Sequence, residues 1–287
     1  MIYHSLCKIC LSHRAEFYCD KYSIDVIKCL GCGLIYVDKI KAEEDIKKHY
    51  SEDYFKPYLK DSGVHLKKRF KKRIKEIKKI KFPGNLFDVG AGAGFFLKLA
   101  ADEGYKTYGV ELSRWAAKYA KDNFDLDIFP GKLNDAGFSP GAFDVVTLWH
   151  VLEHVVDPKD FLSQVSSLLK SGGLLAVEVP NIGSIAAKLS GINWELMAPD
   201  EHFFYFNQFT LEKLLTDSGF KIIKKQSYFW TTPAMLVANM KKPSGSYGKV
   251  IVNILIGLAS MFSFLRFKVL PGFIKGDVIT FYALKVR

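Results

Sequence analysis

Strand-length apolar runs alternate with helical patterns through the middle of this 287-residue chain. One apolar run begins at residue 86, ends at Asp88, and is followed by a helical pattern that begins at Phe95. A second run spans 107–110 and a third spans 174–179. Such alternation indicates helices packed on a sheet. The length allows one large domain with small attachments, so the pattern predicts an α/β fold.

A strongly basic helix is predicted over residues 66–81. Its apolar positions, Leu66, Phe70, Ile74 and Ile77, repeat at helical spacing and should dock on the domain. Ten Lys or Arg residues and one Glu should face solvent, and they supply most of the net charge of +11. Such a face suits nucleic acid, an anionic membrane, or a nucleotide- or lipid-linked sugar, unless it is simply solvated. No RNA-binding module accompanies the helix, which disfavours nucleic acid.

A second unusual segment, residues 250–265, is apolar apart from four small or polar positions. As a helix these residues would span about 24 Å, short of the roughly 30 Å hydrocarbon core, so a transmembrane span is not expected. We predict an apolar helical insertion that forms a buried extension, a dimer contact or a peripheral membrane patch, and the oligomeric state stays open. Residues 278–286 should then form a final antiparallel strand beside 221–228.

The N-terminus and the five cysteines bear on the cellular compartment. The order of charged, apolar and small residues that marks a signal peptide is not found, because Cys7 and Cys10 fall where its apolar part would lie. Cysteines in an unexported chain argue for thiols or metal binding rather than disulfides. We therefore expect a cytoplasmic protein, with membrane association through 66–81 or 250–265 as an alternative.

Four of the cysteines form two C-x-x-C pairs, Cys7 with Cys10 and Cys29 with Cys32, with 18 residues between the pairs. This spacing is typical of a tetrahedral zinc site. A segment of this size buries too little surface to fold alone, so bound Zn²⁺ would supply stability. Four thiolates leave no open coordination position, so the zinc is predicted to be structural. Cys19 is expected to be a small buried residue rather than a fifth ligand.

The first apolar run leads into three glycines spaced two apart, Gly90, Gly92 and Gly94. Glycines permit a tight turn and let a ligand approach the main chain at a helix N-terminus. Dinucleotide enzymes use a similar turn, so the glycines alone do not identify the ligand. Here Asp88 precedes the turn, and Glu111 ends the next predicted strand, where its carboxylate could bind both hydroxyls of a ribose.

The combination of Asp88, the glycine turn and Glu111 resembles class I S-adenosylmethionine-dependent methyltransferases. Later motifs, Leu152-Glu153-His154 and the pair Gly172-Gly173, follow in that family's order, and the resemblance covers roughly residues 84–230. It implies S-adenosylmethionine as the cofactor and a seven-stranded Rossmann-like sheet. Together with the cysteine spacing and the apolar segment, it predicts three parts: a zinc ribbon at 1–40, a methyltransferase domain at 41–230, and the apolar insertion with the last strand at 231–287. The implied cofactor residues are Asp88, Gly90, Gly92, Gly94, Glu111, Leu133, Asn134, Trp149 and His150. The family often has an acidic residue for the adenine amino group where this chain has Lys132 and Leu133, so adenine contact is expected from Asn134, from Asp135 or from the backbone alone.

The segment after the cysteines carries Tyr50, Tyr54 and Phe55. It resembles the zinc-ribbon methyltransferases of surface-polysaccharide and modified-sugar pathways, in which a similar segment caps the cofactor pocket. The resemblance implies a sugar-like small-molecule acceptor, namely a nucleotide- or lipid-linked sugar. The aromatic side chains would either contact the sulfonium or simply join the ribbon to the core.

The adjacent Glu201 and His202 resemble the acid–imidazole pair of sugar C-methyltransferases, which implies that His202 is the base and Glu201 its support. Pro199 stands where that family commonly has Tyr, and a structural histidine is the alternative. A second constellation, His150, Glu153 and His154, has helical spacing and could bind a divalent cation. Quinone-pathway O-methyltransferases that resemble this chain bind metal with this trio but carry a carboxylate at the position of His150. The favoured interpretation is therefore that His150 lines the methionine end of the cofactor, while Glu153 and His154 position the loop.

Several functions therefore stay open. The favoured one is methyl transfer to a sugar or glycolipid intermediate. The alternatives are an RNA methyltransferase that uses 66–81 to bind phosphates, and a quinone-type O-methyltransferase. A non-catalytic scaffold is disfavoured because Asp88, the glycines and Glu111 are all intact.

Overall fold

The computed structural model describes residues 2–3, 5–39, 55, 64–229 and 275–286. The predictions for Tyr50, Tyr54 and the segment 250–265 lie outside these residues. The described strands are β1 (Ile2–Tyr3), β2 (Ala15–Lys21), β3 (Ile24–Cys29), β4 (Ile35–Val37), β5 (Asn85–Val89), β6 (Lys106–Glu111), β7 (Ile128–Pro130), β8 (Phe143–Trp149), β9 (Leu169–Pro180), β10 (Phe204–Tyr205), β11 (Phe220–Tyr228) and β12 (Val278–Lys285). The described helices are α1 (Val64–Lys78), α2 (Phe95–Asp102), α3 (Arg114–Phe124), α4 (Pro158–Leu168), α5 (Ile185–Ser190) and α6 (Gln208–Asp217).

Seven strands form the central sheet in the order β11–β12–β9–β8–β5–β6–β7. The strands from β9 to β7 in this order run parallel, whereas β12 is antiparallel to both of its neighbours. The predicted α/β fold with a seven-stranded sheet is confirmed, and so is the final strand beside 220–228. The strand predicted over 174–179 begins earlier, at Leu169, because the glycine pair at 172–173 continues the strand.

A second sheet has the order β1–β2–β3–β4–β10. Its last strand, β10, comes from far along the chain and pairs with β4, so that Phe204 lies opposite Tyr36. The sheet packs its apolar side chains in a buried cluster that includes Cys19, as predicted, together with Trp194. The cysteine-bearing segment is therefore joined by backbone pairing to the residues that follow Glu201 and His202.

Helix α1 docks through Phe70, Ile74 and Ile77, which contact the core beside the sheet, as its apolar stripe predicts. The expectation that all of its cations face solvent is wrong for Arg73, whose exposure is only 4%. Its guanidinium is buried because it pairs with the buried carboxylate of Glu178 and stacks over the ring of Trp149. Within the described residues, the helices lack the combination of length and apolar character needed to cross a bilayer.

Candidate functional site

A cavity of about 850 Å³ opens at the carboxyl ends of β5, β6 and β8. Open parallel sheets bind ligands at this edge. Small-molecule sites commonly enclose roughly 300–1000 Å³, so this cavity has room for a cofactor together with an acceptor. The predicted site residues that line it are Asp88, Gly90, Gly92, Glu111, Leu133, Asn134, Trp149, His150, Glu201 and His202. Phe55 also lines the cavity, and its ring stacks on Trp115 with centroids 6.0 Å apart.

The glycine turn has left-handed backbone at all three glycines, with φ of 71° at Gly90, 54° at Gly92 and 81° at Gly94. A Cβ at Gly90 would lie 2.7 Å from Val151 Cγ2, so a side chain does not fit there. Gly94 directly precedes α2 and does not line the cavity. A Cβ at Gly94 would lie 2.8 Å from the Cβ of Ala120, so this glycine permits close helix packing.

Glu111, the last residue of β6, holds the glycine turn directly. Its Oε2 accepts a hydrogen bond from the backbone N–H of Gly92 at 2.8 Å, and its Oε1 accepts one from Ser113 at 2.9 Å. Burial raises the pKa of this carboxyl, while the backbone donors oppose the shift. Each carboxylate oxygen has a second lone pair, so Glu111 can still accept hydrogen bonds from a diol in the cavity.

Asp88, on β5, is 2% exposed and accepts a hydrogen bond from the hydroxyl of Thr147 at 2.5 Å. Burial raises its pKa to about 7, and the charge of Glu111 acts in the same direction. The hydroxyl of Thr147 and the charge of Arg73 oppose that shift. A cationic group that enters the cavity would therefore lower the pKa of Asp88 and favour its ionised form.

A buried polar network that the sequence analysis missed lies behind Trp149. Glu178 is completely buried, and its Oε2 accepts hydrogen bonds from Arg73 Nε at 3.1 Å and from Thr280 at 2.8 Å. Its Oε1 accepts from the hydroxyl of Tyr228. One signal was present in the sequence: Arg69 and Arg73, four residues apart, are the two arginines among the ten cations of 66–81. Arginine in a lysine-rich run favours a stacked or bidentate contact.

His150 lies between two buried carboxyl groups. Its Nδ1 is 3.2 Å from Glu153 Oε1, and its Nε2 is 3.2 Å from Glu178 Oε1. Burial lowers its pKa well below the usual value, and the charges of Arg69 and Arg73 add to this effect. His150 also has a left-handed backbone, with φ of 57°, which is uncommon outside glycine and concentrates at functional sites.

The structure does not bring together the alternative cation group of His150, Glu153 and His154. The chain turns as a short 3₁₀ helix over Leu152–His154, and His150 lies outside it. Single ligand atoms of Glu153, His154 and His202 instead lie within 4.8 Å of one another. This cluster could hold a divalent cation or exchange a proton.

Backbone carbonyls set the protonation of the two histidines. Nδ1 of His202 lies 2.9 Å from the carbonyl oxygen of Leu196, and Nδ1 of His154 lies 2.9 Å from that of Glu201. Because a carbonyl only accepts, each Nδ1 carries a hydrogen and each Nε2 keeps a lone pair in the neutral ring.

Burial makes the neutral forms dominant in this cluster. Burial lowers the pKa of His202, although the Leu196 carbonyl and the charge of Asp200 oppose this shift. Burial also lowers the pKa of His154, to about 3. It also raises the pKa of Glu153 to about 8. The sequence suggested that the carboxylate of Glu201 would raise the pKa of His202. In the structure, the carboxylate that acts in this direction is that of Asp200, and its effect is smaller than that of burial.

The four predicted zinc ligands converge. The sulfur atoms of Cys7 and Cys32 are 3.7 Å apart, those of Cys10 and Cys29 are 3.4 Å apart, and all four lie within 4.8 Å of one another. Tetrahedral zinc–sulfur bonds of about 2.3 Å place sulfur atoms about 3.8 Å apart, so the cluster fits such an ion. The backbone N–H of Gly31 donates to the sulfur of Cys29 at 3.3 Å, which stabilises a thiolate.

A family model described as a methyltransferase domain matches residues 63–225. A ubiquinone biosynthesis O-methyltransferase of Xanthomonas campestris pv. campestris is 31% identical over 127 residues, which are 42% of this chain and 53% of that protein. The mitochondrial ubiquinone biosynthesis O-methyltransferase of Schizosaccharomyces pombe is 33% identical over 99 residues, 32% of this chain and 36% of that protein. The chain thus spans about half the length, or less, of these relatives.

Solved structures of two S-adenosylmethionine-dependent methyltransferases are similar in fold. The protein from Thermotoga maritima has a TM-score of 0.58 at 16% identity, covering 85% of this chain and 100% of that chain. The protein from Archaeoglobus fulgidus has a TM-score of 0.54 at 21% identity, covering 81% of this chain and 99% of that chain. At these identities the similarity establishes the fold.

Proposed function

This chain belongs to the methyltransferase-domain family, and from that premise we propose that it transfers a methyl group from S-adenosylmethionine to a nucleotide- or lipid-linked sugar. The proposed acceptor is supported by the polar residues at one end of the cavity. Glu195, Glu201, His154 and His202 line the cavity together with Leu196 and Ala198. Hydrogen-bonding groups at this density suit a ring that carries several hydroxyls, whereas an apolar ring would leave buried polar groups unpaired.

We assign S-adenosylmethionine to the glycine turn because the polar groups at this turn match the successive parts of the cofactor. Glu111 would bind the ribose diol, and the bare backbone of Gly90 and Gly92 would contact the chain that follows the ribose. Leu133 and Asn134, which line the cavity after β7, would contact the adenine. S-adenosylmethionine supplies a methyl group already activated on a sulfonium, so the protein mainly has to position the acceptor.

His202 is our proposed base. It lines the cavity, its lowered pKa keeps the ring neutral, and its Nδ1–H is directed to Leu196. Nε2 would then accept the proton that the acceptor loses on methylation. Glu201 would act through its backbone, since its carbonyl orients the neighbouring ring of His154.

We further propose that a structural zinc ion occupies the site formed by Cys7, Cys10, Cys29 and Cys32. The fit of the sulfur–sulfur distances supports it, and so does the short segment that the ion would stabilise. The ion would have no open coordination position, so no step of the methyl transfer involves it.

Methyl transfer from radiolabelled cofactor into a fractionated cell extract tests the proposed acceptor. We expect label in the nucleotide-sugar or glycolipid fraction, insensitive to nuclease, and none with a Glu111→Ala control. Label in RNA would support the nucleic-acid alternative. Label in a quinone precursor would support quinone-type O-methylation, an alternative motivated by the names of the curated relatives and by the cluster of Glu153, His154 and His202.

A further inference from the structure

The outer face of α1 carries a concentrated positive charge. Residues 66–81 hold ten cations and one glutamate, a net +9 of the chain's +11. Five of these cations line one groove beside the helix: Lys67, Lys71, Lys75, Lys78 and Lys79. Clustered charge of one sign attracts an extended surface of the opposite sign more strongly than the same charge spread over the whole protein.

Three of these lysines form an uncompensated row. Lys67, Lys71 and Lys75 are exposed and follow one another at a spacing of four residues, so they lie on one side of α1. In the part of the chain that the structure describes, no ion pair involves these three, whereas Lys78 and Lys79 each pair with a glutamate. The row is therefore available to an external anion.

An exposed aromatic side chain stands at the end of the groove. Phe82 is 88% exposed, more than any other large apolar side chain in the described ranges. The next residue, Pro83, lies beside Gly104, where an added Cβ would be 3.7 Å from it, and Glu103 lines the groove. A partner that takes up both the lysines and this ring must combine anionic groups with an apolar layer, as the headgroup region of a membrane does.

Another side of α1 lines the cavity through Leu66, Phe70 and Arg73. Lys67 directly follows Leu66, so one end of the lysine row lies at the rim of the cavity. The helix has 15 residues and is about 22 Å long, which is enough to contact several lipid headgroups when it lies flat. A membrane bound along the groove would therefore hold its headgroups next to the cavity.

We propose that the lysine row of α1, together with Phe82, binds an anionic membrane surface along the length of the helix. The lysines would contact lipid phosphates, and Phe82 would insert just below them. This inference goes beyond the proposed function, because the contact needs neither cofactor nor acceptor, and its failure would leave the proposed methyl transfer standing. It favours the lipid-linked sugar of the two proposed acceptors, since that acceptor is already held at a membrane.

Co-sedimentation of the full chain with lipid vesicles tests the proposal. The protein should bind vesicles of equal parts phosphatidylcholine and phosphatidylglycerol at least about tenfold more tightly than phosphatidylcholine alone, and high salt should release it. Changing Lys67, Lys71 and Lys75 together to glutamate should weaken binding by about a hundredfold or more, because three attractive charges become repulsive. Phe82→Ser should weaken it by about tenfold and leave its salt dependence unchanged.

Each change has a matched control. Glutamate at Lys118, Lys121 and Lys213 alters the net charge equally but at exposed positions outside the groove, and it should leave vesicle binding near that of the wild type. Phe209→Ser is the control for Phe82→Ser, because Phe209 is also 70% exposed and begins near the start of α6. Thermal melting should report every variant folded.

Three results would overturn the proposal. One is equal binding to the two kinds of vesicle, or none to either. Another is an equal loss in a variant and its matched control. The third is binding to a double-stranded RNA oligonucleotide, but not to vesicles, that the three-lysine change weakens and Phe82→Ser does not, which would identify a nucleic-acid surface instead.

Discussion

The backbone N–H of Val37 donates a hydrogen bond to the carbonyl oxygen of Phe203 at 2.9 Å. Val37 ends the strand that follows the cysteines, and Phe203 directly follows His202. The N–H of Phe203 in turn donates to the carbonyl oxygen of Glu153 at 2.8 Å. Two consecutive backbone bonds therefore connect the cysteine-bearing segment to the cluster that contains His202.

This connection predicts that zinc supports the acceptor side of the cavity more than the cofactor side. Cys7→Ser with Cys32→Ser should abolish stoichiometric zinc, lower turnover strongly and leave S-adenosylmethionine affinity nearly intact. Elemental analysis, turnover and calorimetry measure the three quantities. Cys19→Ala is the control and should keep one zinc per chain, because Cys19 packs in an apolar cluster. Stoichiometric zinc in the double variant would mean that the ligands lie elsewhere.

Glu111 is predicted to hold the cofactor. Glu111→Ala removes two charge-assisted contacts worth about 1.5 kcal/mol or more each, so affinity for S-adenosylmethionine should fall at least tenfold. The substitution also frees the N–H of Gly92, which can only add to the loss. Calorimetry checks this, with the exposed Glu103→Gln as the control. An affinity equal to that of the wild type would refute the ribose assignment.

The raised pKa of Glu153 predicts that the folded state loses stability as the pH rises. Its folded pKa, about 8, lies above its unfolded value, so its contribution is complete below about pH 4.5 and disappears as the pH rises through 8. Relative to Glu153→Gln, the melting temperature of the wild type should therefore fall between about pH 4.5 and 8 and level off above pH 8, where Glu153 is ionised in both the folded and the unfolded state. Glu153→Gln, which mimics the protonated acid, should flatten this decline, while Glu103→Gln should not. Parallel melting curves for wild type and Glu153→Gln would contradict the assignment.

The exposed face of α1 predicts a salt-sensitive role in acceptor binding. Lys67, Lys71 and Lys75 line an outer groove of this helix. Reversing their charge with glutamate should raise the KM of a phosphate-bearing acceptor about tenfold at low salt and leave cofactor affinity unchanged. The effect should shrink at high salt because exposed charges are screened. Reversal of three other exposed lysines, Lys118, Lys121 and Lys213, is the control, and equal effects of both sets would indicate a face that is simply solvated.

Features that depend on neighbours in sequence were predictable. The strand, the glycine turn and the carboxylate of Glu111 lie within 26 consecutive residues, and the turn needs glycine because of its left-handed backbone. The four cysteines have a characteristic spacing, and their sulfur atoms converge in the structure. Periodicity likewise predicted that Ile74 and Ile77 would be buried.

Features that depend on distant partners were not predictable. Arg73 is buried because Glu178, more than 100 residues away, provides a carboxylate inside the sheet, and local pattern does not reveal that pair. The grouping of His202 with Glu153 and His154 has the same cause, since the backbone bond between Phe203 and Glu153 brings the two segments together. Helical spacing suggested His150 instead, but its left-handed backbone removes it from the turn.

The central claim, that the chain methylates a sugar with His202 as the base, is tested most directly with deuterated-methyl S-adenosylmethionine and an isolated pool of nucleotide sugars and glycolipids. Mass spectrometry should find one CD₃ group on a sugar of this pool. His202→Ala should lower the rate by 10²–10⁴-fold with cofactor affinity intact. The wild-type rate should rise with pH through a value below the ordinary histidine range and be level at neutral pH, since burial lowers the pKa of His202. Label confined to a quinone precursor or RNA, or a His202→Ala rate near that of the wild type, would contradict the claim.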